Sequence, residues 1–115
     1  QDYVARTKFT AAFSEIITGR TGFDVAINDG LTPTLANPST TTTWFIGVQE
    51  ESAHSTIRLL NATSAGQMQA TIKGGPASVK GMTITIFRDA ATGAWSCTSA
   101  VAQKLIGSAN ECVGS

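Results

Sequence analysis

Cys97 and Cys112 are the only cysteines of the chain and enclose fourteen residues, Thr98 to Glu111, close to its end. A lone pair at this spacing reads as a disulfide that staples a C-terminal loop to the body of a domain. Closing a loop of about 16 residues contributes roughly 3 kcal/mol in the chain-entropy account, a large share of a small domain's stability. A disulfide also places the chain outside the reducing cytosol. The alternative is two buried free thiols. No CxxC and no histidine partner accompanies them, as metal or redox chemistry would require.

A length of 115 residues suits one domain with one modest core. Eight basic and eight acidic side chains cancel, which gives no electrostatic ground for a strong nucleic-acid site. Charged residues make up only 14%, so Thr, Ser, Asn, Gln, Ala and Gly must cover most of the surface. Such a coat suits a chain that packs against copies of itself or works outside the cell, and ordinary secreted domains share it. No run of about 18 apolar residues is present, so this segment does not itself span a membrane. It carries no signal peptide, yet the disulfide requires export. The expectation is a mature or trimmed fragment.

Residues 1–28 read as one helix, from about Asp2 to Ile27. At 100° per residue Ala5, Phe9, Ala12, Phe13, Ile16, Ile17, Phe23 and Ile27 form one broad apolar stripe. Asn28-Asp29-Gly30 supplies the stop. Arg20 falls inside the stripe and must snorkel. Gly19 and Gly22 weaken the middle by about 1 kcal/mol each relative to Ala, and read as local flexibility or close packing rather than a ligand cradle. The opposite face carries Val4, Ala11, Thr18 and Val25 beside Thr7, Lys8 and Glu15. It reads either as a tolerant exposed face or as a second contact surface for another helix.

Residues 29–53 read as an irregular connector containing Pro33, Pro38 and the run Thr40 to Thr43. Its one apolar cluster, Trp44 to Val48, is either a short strand or a loop anchor. Residues 54–99 alternate as an antiparallel meander: Ser55 to Leu60, Gln67 to Ile72, Met82 to Arg88 and Ala94 to Ser99, separated by turns at 61–66, 74–76 and 89–93. The stapled loop, 97–112, completes the chain. One long amphipathic helix on a four-stranded antiparallel sheet is an α+β domain of two layers.

Converging titratable groups, which an enzyme needs, are missing. His54, the one histidine, reads as a solvated residue at a strand start. Glu50-Glu51 is an adjacent hydrated pair, no GxSxG elbow activates a serine, and Gly74-Gly75-Pro76 lacks the Lys-Ser/Thr sequel of a phosphate loop. Asn61-Ala62-Thr63 fits the N-glycosylation pattern, which is short and frequent by chance. No catalytic residue, metal ligand or cofactor is expected.

Gln1-Asp2-Tyr3-Val4-Ala5-Arg6 resembles the junction in type IV pilins where the membrane-spanning half of the N-terminal helix passes into its amphipathic half. Gly81 to Arg88 followed by Asp89 to Ser99 is similar to the late hairpin of major pilins of the Pseudomonas type, with Trp95-x-Cys97 opening a disulfide loop that Cys112 closes. The resemblance runs the length of the chain in order. Family members begin with an apolar helix of roughly 25 residues, lacking in this segment, so it implies a soluble headgroup whose membrane half-helix would precede Gln1.

The resemblance further implies a structural subunit of a type IV pilus, a retractable fibre for adhesion, twitching motility, DNA uptake and phage attachment. It would be methylated at the mature N-terminus in full length, anchored in the inner membrane with its headgroup in the periplasm, then built into an extracellular filament by the pilus assembly machinery. The partners implied are other copies, that machinery, and a host-surface receptor or phage. Residues 31–53 and the stapled loop would be the edges that meet neighbours and environment. In that loop Val101, Lys104, Leu105, Ile106 and Glu111 are the candidate receptor or subunit contacts, though Val101 and Leu105, four apart, also fit one helical turn buried on the sheet edge. Val4, Ala11, Thr18 and Val25 are the candidate subunit-contact face, and Ser115 a candidate O-glycan site. Two alternatives stand beside this reading: a pseudopilin of a type II secretion system, whose major forms use a calcium site in place of the disulfide, and a small secreted enzyme or inhibitor.

Overall fold

The computed structural model describes residues 2–107 and 112–115. Its element order is α1 (Asp2–Asn28), β1 (Thr32–Thr34), β2 (Thr43–Phe45), β3 (Ser55–Asn61), β4 (Gln67–Ile72), β5 (Thr83–Arg88), β6 (Trp95–Ser99) and α2 (Gln103–Ile106). β3 to β6 form a four-stranded sheet in sequential order, each pair antiparallel. The register aligns Ile57, Ala70 and Ile84 in one row, and Leu59, Met68, Ile86 and Cys97 in the next. Alternation has put both rows on the face toward α1. Met68, Ala70, Ile72, Ile84 and Ile86 are buried there together with Ala5, Phe9, Ala12, Phe13, Ile16 and Phe23 of the helix. Covering one apolar face with the other is what stabilises both elements.

Ile17 and Ile27, expected in the stripe, lie at its margins and are half-buried, while Gly19 and Ala26 are fully within it. Arg20 is half-buried. The two helix glycines serve close packing. A methyl group at Gly22 would fall onto the main chain of Ile46, and one at Gly19 would come within 3.1 Å of both Ile46 and Val48 side chains. The connector therefore lies directly on the helix backbone, with Ile46 and Val48 buried beneath it.

The connector is more ordered than the sequence suggested. β1 and β2 pair as a parallel ribbon, Thr32 with Thr43 and Thr34 with Phe45. The run Pro38 to Thr42 is the bend between them, held by Ser39 Oγ accepting from Phe45 N at 2.8 Å and by Thr40 Oγ1 accepting from Thr43 N at 3.1 Å. The Trp44 to Val48 cluster is thus strand at its start and anchor at its end. On the sheet side the turn at 76–80 buries Val79, which no periodicity marked.

Candidate functional site

The face of α1 turned away from the core carries Val4, Thr7, Ala11, Ser14, Thr18, Thr21 and Val25, each exposed or half-buried. Their spacing alternates between three and four, the repeat that keeps one seam along a helix facing a neighbouring helix. All are small or β-branched, so a second backbone can approach closely. Thr7 Oγ1 donates to Tyr3 O at 2.9 Å and Thr18 Oγ1 donates to Ser14 O at 2.7 Å. These bonds satisfy two of the seam's hydroxyls within the helix. Tyr3 and Val4 begin it with 81% and 52% of their surface exposed. The sequence singled out Val4, Ala11, Thr18 and Val25; Thr7, Ser14 and Thr21 complete the seam, and the three-four spacing was the signal for them.

Beside the seam, an apolar hollow of about 180 Å³ is lined by Tyr3, Val4, Thr7, Lys8, Ala11 and His54. Lys8 Nζ lies 3.3 Å from His54 Nδ1. About two turns along, Glu15 accepts from His54 N at 2.8 Å and from Ser55 Oγ at 2.7 Å. Lys8 and Glu15 are therefore spent on docking β3 to α1 rather than on solvent. At the far end of the helix Asp24 accepts from Arg88 Nε at 2.7 Å and from Trp95 Nε1 at 3.2 Å, while Arg88 Nη1 donates to Ser64 O. Phe23 meets Trp95 edge to face, ring centroids 5.3 Å apart. Helix, turn and last strand are tied at one point.

At the stapled end, Cys97 and Cys112 are joined, their Cα atoms 4.7 Å apart. Val113 N donates to Cys97 O and Ser99 N donates to Val113 O, so the tail pairs with the outer edge of β6 as a short parallel bridge to Thr98. Gln103 fastens it from the other side: its Oε1 accepts from Gly114 N at 2.7 Å and its Nε2 donates to Cys112 O at 3.3 Å. No pattern in the sequence marks a side-chain clamp of this kind.

The candidate contacts in this loop need correction. Val101, Leu105 and Ile106 are buried in the main core, against α1 and the sheet edge, because α2 turns its apolar side inward. Their side chains belong to the core rather than to the surface of the loop. Lys104 is exposed and 4.0 Å from the Asp2 carboxylate. Glu111 lies outside the described residues. Ser115 is exposed, while its main chain is pinned, its N donating to Val101 O and its O accepting from Gln103 N.

Two surface carboxylates are held below their ordinary range. Lys73 hydrogen-bonds Glu51 and stabilises its ionised form. The Thr92 and Ala91 amides do the same for Asp89, in the turn between β5 and β6. Among the described residues no three His, Cys, Asp or Glu side chains gather where a metal could bind.

Comparison with known proteins supplies the context for this geometry. The family model for pilins, proteins of bacterial filaments, matches residues 5–112. The chain is similar to Fimbrial protein Q of Moraxella bovis, 32% identical over 109 residues that span 85% of this chain and 68% of that protein. Its fold is similar to the crystal structure of the Cs1 pilin chimera, with a TM-score of 0.78 and 23% identity, covering 91% of this chain and 94% of that one.

Proposed function

The chain belongs to the pilin family, as a type IV pilin, and from that premise we propose that it is the repeating unit of a retractable type IV pilus used for adhesion, twitching motility, DNA uptake and phage attachment. Pilins are structural proteins rather than enzymes, and their place is the extracellular filament. The observation that carries the reading is the seam on α1: small side chains at three-four spacing, two hydroxyls satisfied within the helix, and every member left exposed or half-buried among the described residues.

In this reading the seam packs on helices of other copies at the filament axis, and the sheet faces outward. The connector 31–53 and the stapled end are the edges that meet neighbouring copies, with Lys104, which is exposed, and Glu111 as the loop's contacts to a receptor or phage, and Ser115 as an acceptor for an O-linked glycan. Before assembly, an apolar half-helix ahead of this segment anchors the subunit in the inner membrane, where the assembly machinery takes it up.

Electron microscopy of a strain deleted for this gene is the test. The expected result is loss of the surface filaments and of the spreading zone on agar, with both restored by the gene in trans. Filaments unchanged in number and thickness would sink the proposal.

A further inference from the structure

The end of the molecule where α1 begins gathers most of the chain's positive charge. The turn between β4 and β5 lies against Lys8, since a methyl group on Gly75 would approach Lys8 Cγ to 3.0 Å. Lys104 of α2 lies 4.0 Å from Asp2 at the helix start. Arg6, Lys8, Lys73, Lys80 and Lys104 therefore share one end, and of the eight basic residues only Arg20, Arg58 and Arg88 stand elsewhere. Lys73 is paired with Glu51, and Lys104 with Asp2. Arg6, Lys8 and Lys80 have no carboxylate partner among the described residues. Two further acids lie back from this end. Glu15 is about two turns up the helix, bonded to His54 N and Ser55 Oγ, and Glu50 is level with Ile57, whose N donates to Glu50 O. Asp24, Asp29 and Asp89 are at the opposite end, at the close of α1 and in the turn between β5 and β6. A chain with no net charge is thus basic at one tip.

Apolar surface adjoins these cations. Tyr3 is 81% exposed, and a mostly apolar hollow of about 540 Å³ is lined by Tyr3, Arg6, Thr7, Thr10 and Ala11. We infer that this end docks on a membrane surface of anionic phospholipid, with Arg6, Lys8 and Lys80 against the phosphates and Tyr3 at the level of the headgroups. The charges are complementary, and each Lys or Arg close to an anionic bilayer adds to the attraction. A tyrosine ring, apolar in its body and polar at its tip, suits the border between headgroups and acyl chains. A nucleic acid offers phosphates but no acyl chain for the hollow, which favours lipid. The inference rests on the proposed function, in which an apolar half-helix ahead of this segment brings the start of α1 to the membrane first, and it names the surface on which the subunit waits. Thr7 and Ala11 belong both to the hollow and to the seam. Lipid and a second helix therefore compete for this stretch, and entry into a filament releases it from the bilayer.

The experiment sediments the 115-residue chain with large vesicles, one set of phosphatidylcholine and one of phosphatidylcholine mixed with phosphatidylglycerol. At low salt the partition coefficient is expected to be on the order of tenfold higher on the anionic set, and to fall to the neutral value in concentrated sodium chloride. Arg6→Gln and Lys80→Gln, both at exposed positions, should each weaken binding to the anionic set about threefold. Arg58→Gln removes one cation from the outer face of the sheet, which alternation turns away from α1, and should leave binding unchanged. Equal partition onto the two sets overturns the inference. So does a loss from Arg58→Gln as large as that from Arg6→Gln, which would reduce the effect to net charge. Arg6-dependent retention of a DNA duplex without preference for anionic vesicles also overturns it and assigns this end to nucleic acid. None of these results touches the filament reading, which stands or falls with the deletion strain.

Discussion

The inner side of α1 is Phe9, Phe13, Ile16 and Phe23, all buried against the chain's own sheet, whereas its outer side is Val4, Thr7, Ala11, Ser14, Thr18, Thr21 and Val25, exposed or half-buried. The first is large, apolar and filled by residues from every strand of the sheet. The second is small, with the Thr7 and Thr18 hydroxyls turned back on the helix's own carbonyls. One helix thus has a side completed by folding and a side that folding leaves open. Changes to the inner side should be read in the stability of the single chain, and changes to the outer side in the polymer.

The largest effect on the isolated chain is expected from Phe23→Ala. Phe23 is fully buried, edge-on to Trp95 and against Gly66, so a loss of about 3–5 kcal/mol should appear in urea denaturation. A loss below about 1 kcal/mol would break the claim that this side is tightly filled. Replacing both cysteines by serine should cost about 2–4 kcal/mol, and hydrogen exchange should rise first at the Val113 and Ser115 amides. Gly22→Ala sits on the border of the two sides. Its methyl meets the Ile46 main chain, so about 1–3 kcal/mol of strain is expected even though Ala is the better helix former; a gain in stability would move the border.

Acid provides a subtler test. Asp89 has its folded-state pKa lowered by the Thr92 and Ala91 amides, so its contribution is complete above the ordinary carboxylate value and is lost as pH falls through the lowered one. Stability should therefore decline from about pH 4 downward, with amide signals of residues 89–93 moving first. Asp89→Asn should flatten that decline. The smallest effect on the single chain is expected for Ser14→Phe, within about 0.5 kcal/mol of wild type. The same change should abolish filaments by electron microscopy; normal filaments would show that the seam is not a contact.

Much of this was legible beforehand because it is periodic. The alternation of Met68, Ala70 and Ile72, and of Ile84 and Ile86, located the inner strands within a residue. The helix announced itself by its stripe, and the two cysteines by being alone. What escaped was aperiodic. β1 and β2, three residues each, are too short to alternate, and Pro33 argued against a strand until a ribbon edge made room for it. Gln103, Glu15 and the Asp24–Arg88–Trp95 tie act through single polar contacts between distant segments, which leave no pattern in a sequence. For Val101 and Leu105 the four-residue spacing already offered a helical turn buried on the sheet edge beside the contact reading; the structure takes the buried option and adds Ile106 to it.

The tail along β6 bears on how such a molecule polymerises. An uncovered strand at the end of a sheet is a template onto which any stray strand can add, and a crowded fibre presents many. Here the Val113 bridge to Thr98, with the disulfide behind it, takes up part of that template from within the same molecule. Growth through stacked backbone, the route to amyloid, is obstructed at that margin. Association through side chains on a helix, the contact proposed for the α1 seam, is left unobstructed.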